Sequence, residues 1–255
     1  MNKYIDLNDL QNSFSNLKIK ETKSTSSTKI TFVDKVELME SEVKNLMKSN
    51  YISVDIEGIN LSRKGKISII QICAENCNDV IIFDITTLQK DAFNYGTYNL
   101  KYLLESSNVT KLFWDVRMDC DALYYLYNIS PNKIMDVQVV YIRAYSNSKY
   151  LTGLTKAINE LNCISYEDGK RSEEIKEKGK KLWAPEKGGS YEIWEKRPLL
   201  EDLKIYAAED VKYLYKIYET ASKTVNIAKA FKTSSDRMTN VINDLKFKNG
   251  ALRDF

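Results

Sequence analysis

Histidine does not occur anywhere in the 255 residues. Its absence excludes Ser-His-Asp hydrolysis, Cys-His proteolysis, imidazole acid-base catalysis and His-ligated zinc or iron. Cysteine is sparse as well, with four in all. Cys73 and Cys77 form a C-x3-C, but no histidine exists to complete a common zinc set, so the four read as reduced, partly buried thiols. Long apolar runs are missing too. No window approaches the roughly 18 uninterrupted apolar residues of a membrane span. The start "MNKYIDLNDLQNSF" has no apolar stretch of the kind a signal peptide carries. A soluble, intracellular chain of the cytoplasm or nucleus, with no membrane partner, is the expectation. Excess charge of one sign is lacking: the net charge is +3, so any nucleic-acid site has to be a local groove rather than a global basic field. The chemistry is left to carboxylates, tyrosines, lysines and cysteines.

What is present suits one large domain, alone or with appendages, and 43% hydrophobic residues supply a substantial core. Residues 1–28 end in "KETKSTSSTK" and read as a flexible polar arm, with a short helix near "LNDLQNSF". "KITFV" (29–33) reads as a strand, and 34–49 as a helix capped by Asp34. Runs at 51–57, 67–73 and 80–85 are strand-like with short polar links, as in an antiparallel meander. A helix over 97–106, a strand over 111–116 and the helix "RMDCDALYYLYN" follow. "IMDVQVVYIRAYS" turns from strand to helix with Asp136 at the cap, and "TGLTKAINELN" is a further helix. Residues 164–197 are highly charged and are expected to break the regular pattern. A long helix over about 198–222 follows, and the tail 223–255 reads as a charged, partly helical extension. This order describes an α/β mixed sheet covered by helices.

Three groups of residues carry chemistry. Asp55 and Glu57 lie two apart on a strand, so both leave the same face, about 7 Å apart at the backbone. Hard divalent cations need several charged oxygens on such a rigid element. Asp119 stands one turn into a helix that follows a strand ending near Asp115. Tyr206 and Asp210, four apart on a helix, share one face. Each piece alone also has a plain reading: a strand end in solvent, an acid favoured by a helix dipole, a core aromatic. Asp210, however, stands among Ala207, Ala208, Val211 and Leu214, where an unpaired carboxylate is costly and a metal or close partner would relieve it.

In order, Asp55-x-Glu57, Asp115-x3-Asp119-x3-Leu123 and Tyr206-x3-Asp210 resemble the three motifs of the DEDDy-type 3′–5′ exonucleases. That superfamily includes RNase D, the Werner-type exonuclease domain and the Egalitarian-like proteins. "VDIEGINLSRKGKISIIQIC" is similar to the family's first two strands. "KGKKLWAPEKGGSYEIWEKRPLLEDLKIYAAEDVKYL" resembles the segment through the third motif in the Egalitarian-like, fungal-type branch. Asp115 departs from the pattern, since relatives often have Asn or His there. The resemblance covers roughly residues 29–222. It implies an RNase H-like exonuclease fold: a mixed sheet of three antiparallel strands and then parallel strands, flanked by helices.

The resemblance also implies two divalent cations, Mg²⁺ or Mn²⁺, held by Asp55, Glu57, Asp119 and Asp210. In that scheme Tyr206 orients the attacking water, since a phenol of pKa about 10 is a poor base at neutral pH. The implied activity is 3′–5′ exonucleolytic hydrolysis of single-stranded nucleic acid with a free 3′ end, RNA being favoured weakly over DNA. Nucleoside 5′-monophosphates are the implied products. Arg63 and Lys64 after the first strand, and Lys180 and Lys181 with Trp183, read either as contacts for phosphates and a stacked base or as solvated charged loops. A nucleic-acid-binding or scaffold module on the same fold, with little catalysis, is the competing reading.

Overall fold

The computed structural model describes residues 28–161, 164–244 and 255, so the arm expected over 1–28 lies outside the described residues except at its end. A six-stranded sheet forms the centre, in the order β1-β4-β3-β2-β5-β6. Its strands are β1 (Ile30–Val33), β2 (Tyr51–Glu57), β3 (Ile69–Ala74), β4 (Val80–Asp84), β5 (Thr110–Phe113) and β6 (Ile134–Asp136). The meander β2-β3-β4 is antiparallel. The flanking pairs β1·β4, β2·β5 and β5·β6 are parallel. This is the mixed sheet expected from the sequence.

Helices cover both faces. Helix α1 (Val36–Leu46) is followed by the single turns α2 (Ile85–Leu88) and α3 (Asp91–Asn94), then by α4 (Leu100–Glu105), α5 (Arg117–Tyr127) and α6 (Val137–Tyr145). The later helices are α7 (Leu154–Glu160), α8 (Tyr166–Trp183), α9 (Glu201–Val211), α10 (Leu214–Ala221) and α11 (Ile227–Asn243). Because side chains alternate along a strand, Val54, Ile56, Ile70 and Ile72 all face one layer, where they meet Met39, Leu103 and Leu123. The opposite face of β3 and β4 offers Ile69, Cys73 and Ile82 to Leu203, Ala207 and Val211 of α9. A third cluster joins Leu112 and Met135 to Val140, Ile217 and Ala230. Cys73, Cys77 and Cys120 are free thiols.

Three expectations need correction. Residues 164–197 do not break the pattern: 166–183 form an 18-residue helix. Ser165 caps it by accepting from the Asp168 N–H at 3.0 Å, acids fill its first turn and lysines its last. The helix lacks an apolar stripe, and its buried face is instead Gly169, Ser172, Lys176 and Gly179. The long helix expected over 198–222 is two helices, broken between Val211 and Leu214. This lets α9 pack on β3 and β4 while α10 packs on α6. Finally, Lys35 rather than Asp34 is the N-cap of α1, and it makes no side-chain cap bond.

Candidate active site

Strand β2 carries Asp55 and Glu57 to the carboxyl end of the sheet. The antiparallel register sets Gln71 directly opposite Asp55, and its amide donates to Asp55 Oδ2 at 2.5 Å. Gly58 ends the strand where the Lys66 carbonyl passes within 1.9 Å of the place a Cβ would take, so a side chain there would displace the loop that follows.

Asp119 arrives on α5. The turn into that helix runs through Asp115, whose φ of 64° lies in the left-handed region. Asp136, fully buried, accepts from the Asp115 and Val116 N–H groups at 3.1 and 3.2 Å. Arg117 forks onto Asp115 at 2.6 and 2.7 Å. From α11, Arg237 pairs with Asp136 and, at 3.2 Å, with Asp115. Asp115 is therefore spent on the turn, and Asp119 emerges one turn later, buried.

Helix α9 supplies Tyr206 and Asp210, and α8 lies against it. A Cβ at Gly179 would come within 2.2 Å of the Tyr206 ring, so only glycine lets the two helices approach this closely. Trp183 meets Tyr206 edge-on at 5.9 Å and stacks on Tyr191 at 5.7 Å. Lys176 donates to Asp210 Oδ2, with its ammonium 3.4 Å from the Tyr206 ring centroid.

Carboxylate oxygens of Asp55, Glu57 and Asp210 lie within 4.8 Å of one another, the one such group of three or more potential ligands among the described residues. Asp119 stands outside that trio but is close enough for Asp55 and Glu57 to raise its pKa, after the larger effect of burial. Burial, and then the Asp210 charge, push the Asp55 carboxyl up to about 8, against the pull of Lys176 and Gln71. Glu57 is raised by burial and then by Asp55 and Asp210. Asp210 is raised by burial despite Lys176. Burial, followed by Asp210, Glu57 and Asp55, holds the Tyr206 phenol far above its usual range, so it remains a neutral hydrogen-bond donor. Acids this close repel one another strongly unless a cation joins them. All-oxygen donors with surplus negative charge suit a hard divalent ion such as Mg²⁺ or Mn²⁺.

The expected substrate contacts are placed unevenly. The Arg63 guanidinium is held by Asp121 at 2.6 Å, the Val241 carbonyl at 2.8 Å and the Tyr125 ring at 4.2 Å. Lys64 and Lys181 are exposed. Lys180 lies 3.7 Å from Glu177 and is near enough to Asp210 to lower its pKa. Trp194, eleven residues after Trp183, is fully buried in the core. Sequence reasoning missed Gln71 and Gly179. The strand register would have found the first. The 3/4 spacing of Gly169, Ser172, Lys176, Gly179 and Trp183 was the signal for the second.

Fold and site together define an α/β nuclease-type domain with an acidic centre. A family model described as 3′–5′ exonuclease matches residues 30–226. The chain belongs to this family, within the DEDDy-type exonuclease superfamily. Human piRNA biogenesis protein EXD1 is 30% identical over 174 residues, which is 68% of this chain and 32% of EXD1. The chain thus spans about a third of the length of that relative. Among solved structures, Trypanosoma brucei RNase D in complex with RNA U12 matches with a TM-score of 0.73 at 20% identity, over 89% of this chain and 77% of that one. Brucella melitensis NrnC with bound Mg²⁺ matches with a TM-score of 0.58 at 16% identity, over 84% and 90%. At these identities the two structures establish the fold. Among the described residues, no helix is long and apolar enough to cross a membrane.

Proposed function

We propose that this chain is a metal-dependent 3′–5′ exonuclease that shortens single-stranded nucleic acid from a free 3′ end and releases nucleoside 5′-monophosphates. The observation that carries the reading is the trio Asp55, Glu57 and Asp210, gathered within 4.8 Å from a strand and a helix that no local rule brings together. Asp55, Glu57, Asp119 and Asp210 would hold two divalent cations, Mg²⁺ or Mn²⁺. When bound, such ions supply the charge that lowers the pKa of an attacking water and neutralises the leaving oxygen.

The chain's own groups do the rest. The Tyr206 hydroxyl, kept protonated, donates a hydrogen bond that orients the water. Gln71 fixes the Asp55 carboxylate, and Trp183 backs the Tyr206 ring. Lys64, Lys180 and Lys181 offer charge to the phosphates on the approach, and Trp183 offers a face to a terminal base. Arg63 contributes by securing the loop that carries Lys64. RNA is favoured as substrate, supported by the RNA bound to the trypanosomal structure. The domain proper is taken as 29–222, with 223–255 as an extension that α11 docks onto α5 and β6.

A binding or scaffold module on the same fold is the second reading, favoured by one observation: Asp210 already carries a cationic partner in Lys176. A 5′-labelled single strand, as RNA and as DNA, incubated with Mn²⁺ or with EDTA separates the two. The exonuclease gives a ladder shortening one nucleotide at a time in Mn²⁺, no cleavage in EDTA, and no attack on a circular strand. Binding without cleavage in Mn²⁺ selects the scaffold, and cleavage of circles overturns the exonuclease.

A further inference from the structure

Helix α8 is crowded with lysines, and all but one point outward or half outward. Lys178, for example, leaves 67% of its side chain exposed, whereas Lys176 leaves 9%. Burying an ammonium is unfavourable unless a compensating charge meets it. Lys176 finds that charge at Asp210 and at the face of Tyr206. It is also the cation that draws down the pKa of Asp55, Glu57 and Asp210 alike, so all three acids feel it.

On its other side Lys176 borders a cavity of about 390 Å³ between α7 and α8. The same cavity is lined by Glu160, Glu173 and Glu177 and by Lys156 and Lys180, and Glu160 and Glu177 already pair with Lys156 and with Lys180 and Lys187. A lysine head on a flexible four-carbon stem therefore has, besides Asp210, a polar cleft of mixed charge that it already borders.

We propose that Lys176 is the internal counter-ion of the acidic centre, holding Asp210 while the centre is empty and turning away into the cleft between α7 and α8 when a divalent ion is taken up. The inference rests on the reading of Asp55, Glu57 and Asp210 as a metal site and adds a competitor to it. A monovalent ammonium and a divalent ion cannot share Asp210 without strong repulsion, so each weakens the hold of the other. Lys176 then sets the metal affinity of the centre. Uptake of the ion and movement of the lysine become linked events.

The test is calorimetric titration of Mn²⁺ into the full chain, wild type against Lys176→Met, which keeps the stem and removes the charge. Mn²⁺ should bind at least about tenfold more tightly to Lys176→Met. Lys176→Arg, which keeps the charge on a forked head, should bind no more tightly than wild type. If Lys176→Met does not fold, Lys176→Gln makes the same comparison, since it can still donate to Asp210 without charge. Wild type that binds Mn²⁺ beside a folded, uncharged variant that binds it equally or more weakly overturns the counter-ion and leaves the metal site standing. No Mn²⁺ binding by either protein overturns the metal site, and the counter-ion with it. A merely structural lysine would change the unfolding temperature of the metal-free protein without tightening Mn²⁺ binding.

Discussion

Two groups of buried and half-buried acids meet near the start of α5, and they are built on opposite principles. Asp115 and Asp136 are matched by Arg117 and Arg237, and Asp136 also accepts from backbone N–H groups at Asp115, Val116 and Gln138. In the group of Asp55, Glu57, Asp119 and Asp210, Lys176 pairs with Asp210 and Gln71 donates to Asp55 as a neutral partner. Burial raises the pKa of Asp136 too, but Arg237 and two backbone donors oppose that rise. In the second group the acids raise one another. A matched set locks a turn in place. An unmatched set stores repulsion, and the fold around it has to be stable enough to tolerate it until a ligand arrives.

The sharpest way to break this contrast is to unmatch the matched set. Arg237→Ala leaves Asp136 buried without its guanidinium and should lower stability by about 3–5 kcal/mol in urea unfolding. A loss under 1 kcal/mol would mean that the arginine network does not hold the α5 turn. Next comes the packing that supports the unmatched set. In Gly179→Ala the added methyl meets the Tyr206 ring, and overpacking of roughly 1–3 kcal/mol outweighs the ~1 kcal/mol that alanine brings to a helix interior. The same variant should lower the cleavage rate while Mn²⁺ binding holds, because it moves Tyr206 rather than a carboxylate.

Glu57→Gln should have the opposite sign. Removing one of the mutually repelling acids should raise the stability of the metal-free protein on the order of 1 kcal/mol and abolish cleavage. Destabilisation would show that Glu57 belongs to the structural kind of acid. The smallest effect is on pH dependence. Asp55 keeps its proton in the folded chain up to about 8, against 3.8 when unfolded, so the folded state binds more protons between these values. Stability in EDTA should therefore fall as pH rises from about 5 to 8, and Glu57, Asp119 and Asp210 act in the same direction. Saturating Mn²⁺ should flatten that slope. A urea midpoint in EDTA that rises toward pH 8 would contradict the crowding of the acids.

Much of this was legible in the chain. Alternation placed β2, β3 and β4, and the i, i+2 and i, i+4 spacings paired Asp55 with Glu57 and Tyr206 with Asp210, because strand and helix periods are local properties. The order of the three motifs pointed to the family. Helix α8 was hidden because its buried face is made of glycine, serine and lysine, which carry no hydrophobic period. The break after Val211 was hidden because both halves keep helical spacing across it. Local composition cannot report which neighbour a helix will meet.

Within the site the division is similar. Residue type and spacing by themselves determined that acids would stand at the end of β2 and on α5 and α9, and that no histidine would stand beside them. Only the tertiary structure decided that Asp115 serves the turn while Asp119 stands near the trio, that Arg63 is bound into the fold, and that Lys176 comes to rest on Asp210. The physical reason is that charge partners are chosen by distance in space. Asp210 meets a lysine 34 residues away, and Asp136 an arginine 101 residues away. No spacing along the chain encodes either encounter.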